Sequence, residues 1–317
     1  MGCSVAILLA TYNGAAFLPE QLDSLIIQTN RDWCLLVSDD NSTDATPEII
    51  ASYRETHPAV ITTVPNTGAQ LGACRNFGYL LEQTDAPYIM FCDQDDVWLS
   101  DKIETTLQKM HELETAFGPD APLLVHSDLR VVDHALRPVA DSLWRMQKTN
   151  PHAISLNRLL MQNNATGCTM MINRALLELA CPIPSSARMH DWWLMLVAGA
   201  FGHIAFLNRP TMLYRQHEMN DSGATHVNFL TEISKVFSRA QWKAALDQRT
   251  KLTAHLRRQA AEFLDRYRDR LDDHLQEIIN AYLQLGTQGF FRRRLTILRY
   301  RFFYGSWLVN LGLLLFR

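Results

Sequence analysis

The stretch that most limits what this chain can become runs from Tyr88 to Trp98 and reads Tyr-Ile-Met-Phe-Cys-Asp-Gln-Asp-Asp-Val-Trp. Tyr88 to Cys92 has the length and apolarity of a strand buried on both faces, and it ends abruptly in Asp93, Asp95 and Asp96. Open α/β sheets bind their ligands beyond the C-terminal ends of such strands. Carboxylates this crowded repel one another unless a cation joins them, and Mg²⁺ or Mn²⁺ takes one or two carboxylates together with water and substrate phosphates. An EF-hand loop counted from Asp93 fails, because Val97 and Trp98 stand where an oxygen ligand and a turn glycine are required. A solvated acidic loop remains an equal reading of this stretch taken alone.

The same punctuation recurs upstream. Val5 to Ala10 is an apolar run that breaks at Thr11-Tyr12-Asn13-Gly14, and Cys34 to Val37 ends in Ser38-Asp39-Asp40-Asn41. Between them Leu18, Leu22, Leu25 and Ile26 recur at helical spacing, and Thr46-Pro47 offers an N-cap and first-turn proline to a helix through Tyr53. Val60 to Val64 reads as a third strand, and Asn66, Gly68 and Gly72 lead into a helix near Ala73 to Gln83. Strand-helix alternation of this kind predicts an α/β fold with a mostly parallel sheet flanked by helices, in which these three polar strand ends share one edge. Neither G-x-G-x-x-G nor G-x-x-x-x-G-K-[ST] stands at a strand-to-helix junction, which excludes dinucleotide and P-loop readings. Farther on, Leu123 to Val132 and Thr169 to Ile172 are strand-like, His190-Asp191-Trp192-Trp193 opens an apolar helix, and a strand near His203 to Leu207 precedes Tyr214-Arg215-Gln216-His217.

With 317 residues, 47% of them hydrophobic, the chain has ample material for a core. The six cysteines form no C-x-x-C pair and are expected to be reduced, which suits a cytoplasmic setting, and the N-terminus shows no signal-peptide pattern. Charge is unevenly distributed: 15 Lys+Arg against 26 Asp+Glu through Ser238 (−11), then 15 against 7 (+8). No acidic residue follows Glu277. Residues 302 to 316 are strongly apolar but too few to span a bilayer, and Arg292, Arg293, Arg294, Arg299 and Arg301 precede them; with Phe302, Phe303, Tyr304 and Trp307 they predict an interfacial anchor on an anionic membrane surface. A C-terminal helix packed back on the protein is the plainer alternative.

Taken in order, Ala10 to Gly14, Val37 to Asp44, Asn66 to Gly78, Asp93 to Trp98, Thr166-Gly167-Cys168, His190 to Trp193 and Tyr214 to His217 resemble a family 2 glycosyltransferase of the GT-A fold, most closely the bacterial rhamnosyltransferase branch. The resemblance covers about residues 4 to 230. It implies a GT-A domain over 1–230, with a nucleotide-binding half to about 98 and an acceptor half from about 99, and a helical, basic extension over 231–317. It implies donor contacts from Thr11, Tyr12, Asn13, Asp40, Arg75, Asp93, Gln94 and Asp96, with Tyr12 and Asp40 on the base. Metal ligands would be Asp93, Asp95 and His217, holding Mg²⁺ or Mn²⁺. Gly167, His190 and Trp192 would face the acceptor and Asp191 would be the general base. The residues by themselves allow plainer roles: Tyr12 as a packing ring, Asp40 as a turn former, Asp191 as a helix N-cap.

The implied activity is inverting, metal-dependent transfer of a sugar, L-rhamnose from dTDP-L-rhamnose, to a lipid-linked saccharide of O-antigen or another surface polysaccharide, at the cytoplasmic face of the bacterial inner membrane. Nucleic acid is not among the implied partners. UDP-glucose, UDP-galactose or UDP-galactofuranose would serve the same motifs, and a non-catalytic sugar-nucleotide or polysaccharide binder is the alternative of another class. One departure from the family pattern is the acid-bearing segment Glu218 to Gly223.

Overall fold

The computed structural model describes residues 2–66, 68–217, 239–305 and 307–316. Both the boundary expected near residue 230 and the Glu218 to Gly223 segment lie outside the described residues. The chain forms two compact units, one of residues 1–143, 165–183 and 189–223, the other of 144–164, 184–188 and 224–317.

The first unit begins as β1 (Val5–Thr11), α1 (Leu18–Ile26), β2 (Trp33–Asp39), α2 (Thr46–Thr56), β3 (Ile61–Thr63), α3 (Ala73–Leu81) and β4 (Tyr88–Cys92). These strands pair in parallel in the order β3-β2-β1-β4. Val5 to Leu9 and Ile89 to Cys92 are fully buried, so each strand is apolar on both faces and helices cover the sheet. Register pairs Thr11 with Asp39 and Leu9 with Cys92, which places all three polar strand ends on one edge. Pro19 and Pro47 sit in first turns, where a missing N–H costs nothing. Thr46 is not the cap expected of it. It lies inside α2, buried, donating to Asp44 Oδ1 at 2.6 Å while accepting the Gly14 N–H at 2.8 Å.

Beyond β4 come β5 (Val97–Trp98), α4 (Lys102–Phe117), β6 (Leu123–Val132), β7 (Pro138–Ala140), the short helices α5 (Leu143–Gln147) and α6 (Leu156–Leu159), β8 (Met171–Asn173), α7 (Arg174–Ala180), α8 (His190–Phe201) and β9 (His203–Arg215). Here the sheet is mixed. β8 runs antiparallel to both β4 and β6, β9 is parallel to β6, and β5 and β7 join antiparallel. Parallel pairing requires a crossover, usually a helix, and β8 arrives after a long irregular stretch instead.

The second unit contains α9 (Arg239–Tyr267), α10 (Asp273–Gln284), α11 (Phe290–Tyr300) and α12 (Trp307–Phe316). Asp272 caps α10 by accepting the Leu275 N–H at 2.7 Å. Phe263, Tyr267, Ile279, Tyr282, Ile297 and Phe302 are buried. Arg188 N–H donates to Gln259 Oε1 at 2.6 Å, and the Asn157 amide to the Tyr300 carbonyl at 2.9 Å, tying the two short inserts to the helices. This corrects part of the anchor expectation. Phe302, read as an interfacial aromatic, is a core residue packed against Tyr282, and Leu313 is buried too; the Trp307 side chain lies outside the described residues. Among the described residues no helix is long and apolar enough to cross a membrane.

The cysteine expectation is also corrected. Cys3 and Cys34 are disulfide-bonded, with Cα atoms 5.9 Å apart, whereas Cys74, Cys92, Cys168 and Cys181 remain thiols. Parallel register sets Val5 beside Trp33, so Cys3, two residues before β1, comes close to Cys34, the second residue of β2. A separation of 31 positions with no local pairing pattern hid this contact.

Candidate active site

The turn after β1 is held by side chains from other strand ends. Gln94 grips the Tyr12 backbone twice, accepting its N–H at 2.8 Å and donating to its carbonyl at 2.9 Å. A Cβ on Gly14 would lie 2.2 Å from Gln94 Oε1, so only glycine admits this clamp. Asn13 adopts φ 48°, takes the Thr43 N–H at 2.8 Å, and gives its own N–H to Ser42 Oγ at 2.8 Å. Gln94 and Asn13 therefore stitch loops together. Thr11, buried, donates to Asp39 Oδ1 at 2.9 Å, while Tyr12 is left 45% exposed at the lip. Asp40 is buried and accepts three donors from the loop before α3: Asn66 Nδ2 at 2.9 Å, Leu71 N–H at 2.7 Å and Gly72 N–H at 2.8 Å.

The acidic motif separates by depth. Asp95 Oδ2 meets His217 Nε2 at 2.8 Å, and His217 stacks on Phe17 at 4.6 Å. Burial raises the Asp95 carboxyl, and the His217 bond works against that rise. Asp96 is fully buried: Oδ1 accepts the Arg215 N–H at 3.0 Å, and burial together with repulsion from Asp95 and Asp93 raises it well above the ordinary range. It is sealed beneath the cleft and is not part of its lining, unlike the other two acids of the motif. Asp93 and Asp95 offer hard carboxylate oxygens to the cleft, a donor set that fits Mg²⁺ or Mn²⁺. Asp93, Asp96 and Cys168 also bring ligand-type atoms within 4.8 Å of one another, but burial raises the Cys168 thiol and a protonated thiol suits a hard cation poorly.

Two buried cations support this corner, and neither was singled out from sequence. Lys102, fully buried, donates to the Cys168 carbonyl at 2.9 Å and Thr211 Oγ1 at 3.1 Å, with its ammonium 4.6 Å from the Trp98 ring centroid; burial lowers it to about 8. Arg215, also buried, donates to the carbonyls of Asp95 at 2.8 Å and His134 at 2.6 Å and pairs with Glu20. Lys102 could have been noticed as a cation in the first turn of a helix that follows an acidic motif. Arg215 belonged to a quoted motif but carried no local sign of burial.

On the other side, a 3-10 turn over Gly167–Thr169 faces the start of α8. Gly167 N–H donates to Asp191 Oδ2 at 3.0 Å and Trp192 N–H to Asp191 Oδ1 at 2.5 Å. The N-cap is Met189, so Asp191 is not capping α8. His190 is buried against Phe77 at 4.2 Å and Phe91 at 4.9 Å; among the described residues neither ring nitrogen has a hydrogen-bond partner, and burial lowers it to about 3. A Cβ on Gly167 would approach His190 Nε2 to 2.9 Å, so the turn, ring and carboxylate are closely fitted.

One cleft of about 370 Å³ gathers Thr11, Tyr12, Asp40, Asp93, Gln94, Asp95, Gly167, His190 and Asp191, together with Asn76, a candidate for the diphosphate, and with Gln70, Phe77 and Tyr214, which carried no expected role. Asn13, Arg75, Asp96, Trp192 and His217 are outside its lining. Arg75 is exposed, and His217 stands behind Asp95, which takes its Nε2. The sequence model described as "Glycosyl transferase family 2" matches residues 6–178, more than half of the chain.

The chain belongs to glycosyl transferase family 2. It is 30% identical over 227 residues to the dTDP-rhamnosyl transferase RfbG of Shigella flexneri, spanning 68% of this chain and 74% of RfbG. It is 26% identical over 175 residues to the Escherichia coli WfgD, a UDP-Glc:alpha-D-GlcNAc-diphosphoundecaprenol beta-1,3-glucosyltransferase, spanning 55% of this chain and 62% of WfgD. Staphylococcus aureus TarS 1-349, solved with UDP-GlcNAc, shares the fold at a TM-score of 0.59 and 18% identity, covering 89% of this chain and 70% of that one. The mannosyltransferase PcManGT of Pyrobaculum calidifontis, solved with GDP-Man and Mn²⁺, does so at 0.55 and 17%, covering 95% and 74%. The protein is a family 2 glycosyltransferase with a GT-A-like mixed sheet and a helical C-terminal region.

Proposed function

We propose that this glycosyltransferase moves L-rhamnose from dTDP-L-rhamnose to a hydroxyl of a lipid-linked saccharide, with inversion, at the cytoplasmic face of the inner membrane during surface polysaccharide assembly. The observation that carries the chemistry is the meeting, in one cleft, of Asp93 and Asp95 at the end of β4 with Asp191 at the start of α8. The donor and acceptor classes rest on the likeness to RfbG and WfgD.

Tyr12, exposed at the lip, offers its ring to the base, and Asp40 offers a carboxylate beside the Leu71 and Gly72 amides. Asp93 and Asp95 would hold the metal, with His217 orienting Asp95 from behind. A bound Mg²⁺ or Mn²⁺ would neutralise charge gathering on the leaving diphosphate. The Gly167 and Trp192 amides fix the Asp191 carboxylate in place. As the acceptor oxygen attacks C1 from the face opposite the diphosphate, its proton passes to Asp191, the C1–O bond breaks, and the nucleoside diphosphate leaves with the bonding pair. One base suffices for this single displacement, whereas a pure binder has no use for it.

The test is a donor screen with purified protein, reading metal-dependent release of nucleoside diphosphate. Release of dTDP from dTDP-L-rhamnose above all other donors is expected. Preference for a UDP-sugar would keep the enzyme and replace the donor; no release from any donor would favour the binder.

A further inference from the structure

Helix α11 is held on one side and bare on the other. Ile297 is 1% exposed, Phe302 N–H returns to the Ile297 carbonyl at 3.1 Å, and Tyr300 stacks on Phe302 at 5.8 Å. Facing away are Phe291, 78% exposed, Leu295, 68%, and Leu298, 52%. Positions i, i+4 and i+7 fall within an arc of about 60°, so these three make one apolar stripe. Contiguous apolar stripes left in the open mark interaction sites.

Charge says what the stripe meets. At about 100° per residue, Arg292 and Arg299 lie along one flank and Arg294 along the other. Arg294 lies over the Phe290 ring and donates to the carbonyls of Phe290 and Leu314, so its guanidinium is fixed beside the stripe. Among the described residues Arg299 shares its charge only with Glu277, in an exposed pair at 3.2 Å. Residues 278 to 317 carry six arginines and no acid. A second copy docking by the same face would set arginine flanks against arginine flanks, which is repulsive. An anionic lipid leaflet offers phosphates at the level of the arginines and acyl chain beneath them.

We propose that α11 lies flat on an anionic bilayer, with Phe291, Leu295 and Leu298 inserted and Arg292 and Arg299 on lipid phosphates. The inference deepens the proposed reading, because a lipid-linked acceptor presents itself at such a surface. It also moves the anchor from residues 302 to 316, whose Phe302 and Leu313 are buried, to the helix before them.

The full chain is incubated with vesicles of phosphatidylethanolamine and phosphatidylglycerol, or of phosphatidylcholine alone, and sedimented. We expect binding to the anionic vesicles only, weakening as salt rises. A Phe291→Ser, Leu295→Gln, Leu298→Gln variant should partition at least ~10-fold less, with unchanged thermal unfolding and nucleotide release, because three inserted apolar side chains are lost. An Arg292→Gln, Arg299→Gln variant should lose the preference for anionic lipid. Undiminished binding by the triple variant, absence of binding by the parent, or a parent dimer that the triple variant converts to monomer would each overturn the proposal. The readout contains no sugar, so its failure is separate from failure of the glycosyl-transfer reading.

Discussion

The Gly167 amide donates a 3.0 Å hydrogen bond to Oδ2 of Asp191, joining a 3-10 turn to the first turn of α8 on one wall of the cleft. The contact is possible because residue 167 has no Cβ: one placed there would sit 2.9 Å from His190 Nε2 and 3.4 Å from Asp191 Cβ. Gly167→Ala is therefore expected to push the turn away from Asp191. Transfer should fall ~10-fold or more, since small displacements of a catalytic group are costly, while donor affinity changes little. A kcat against KM comparison checks this; a rise in donor KM with kcat intact would place Gly167 in donor binding instead.

His190 gives a pH signature. Its folded value of about 3 lies below the ordinary 6.5, so between those values the unfolded chain binds a proton that the folded chain refuses. Stability is then fully present above pH 6.5 and lost as pH falls toward 3, at about 1.4 kcal/mol per pH unit for one such group. His126, buried and lowered to about 3 as well, contributes in the same window. Urea unfolding of His190→Phe across this range should show a slope shallower by one proton. Identical slopes for variant and parent would mean that the ring is solvated or paired.

Asp95→Ala removes a carboxylate from the cleft and with it the 2.8 Å contact to His217 Nε2. The fold should survive, because Asp96 and Arg215, not Asp95, make the buried backbone tie at 3.0 Å. Metal-dependent binding of a nucleoside diphosphate should be lost, measured by calorimetry with and without Mn²⁺. Unaltered metal dependence would move the ligand role to Asp93 alone.

Periodic, apolar segments made the nucleotide-binding half legible. β4 and β6 have the bounds that their apolar runs predict, and the convergence of Thr11, Asp39 and Cys92 on one edge follows once four strands are parallel. β5, β7 and β8 are two or three residues long and carry too little pattern to reveal their direction, so the mixed second half was not legible. Residue types at the site were readable but their depth was not. Asp93 and Asp96 stand three positions apart in one motif, yet one faces the cleft and the other is sealed beneath it. Gln94, a donor contact by resemblance, does line the cleft, but nothing in the sequence showed that its amide also clamps the Tyr12 peptide. Lys102 and Arg215 were obscured by the usual rule that long cations are exposed, which fails where backbone carbonyls and acids gather to receive them.

The claim on which the rest depends is that Asp191 takes the acceptor proton. Asp191→Asn keeps the shape of the side chain and, with its amide oxygen, the bond from the Gly167 N–H, but removes the base. Donor binding and single-turnover transfer, measured side by side on this variant and the parent, test the claim most directly. The expected result is unchanged donor affinity with transfer reduced at least ~10²-fold, the lower end of what a general base contributes. Transfer near the parental rate, or loss of donor binding with the residual rate preserved, would contradict it and leave Asp191 as a scaffold for the 167–169 turn.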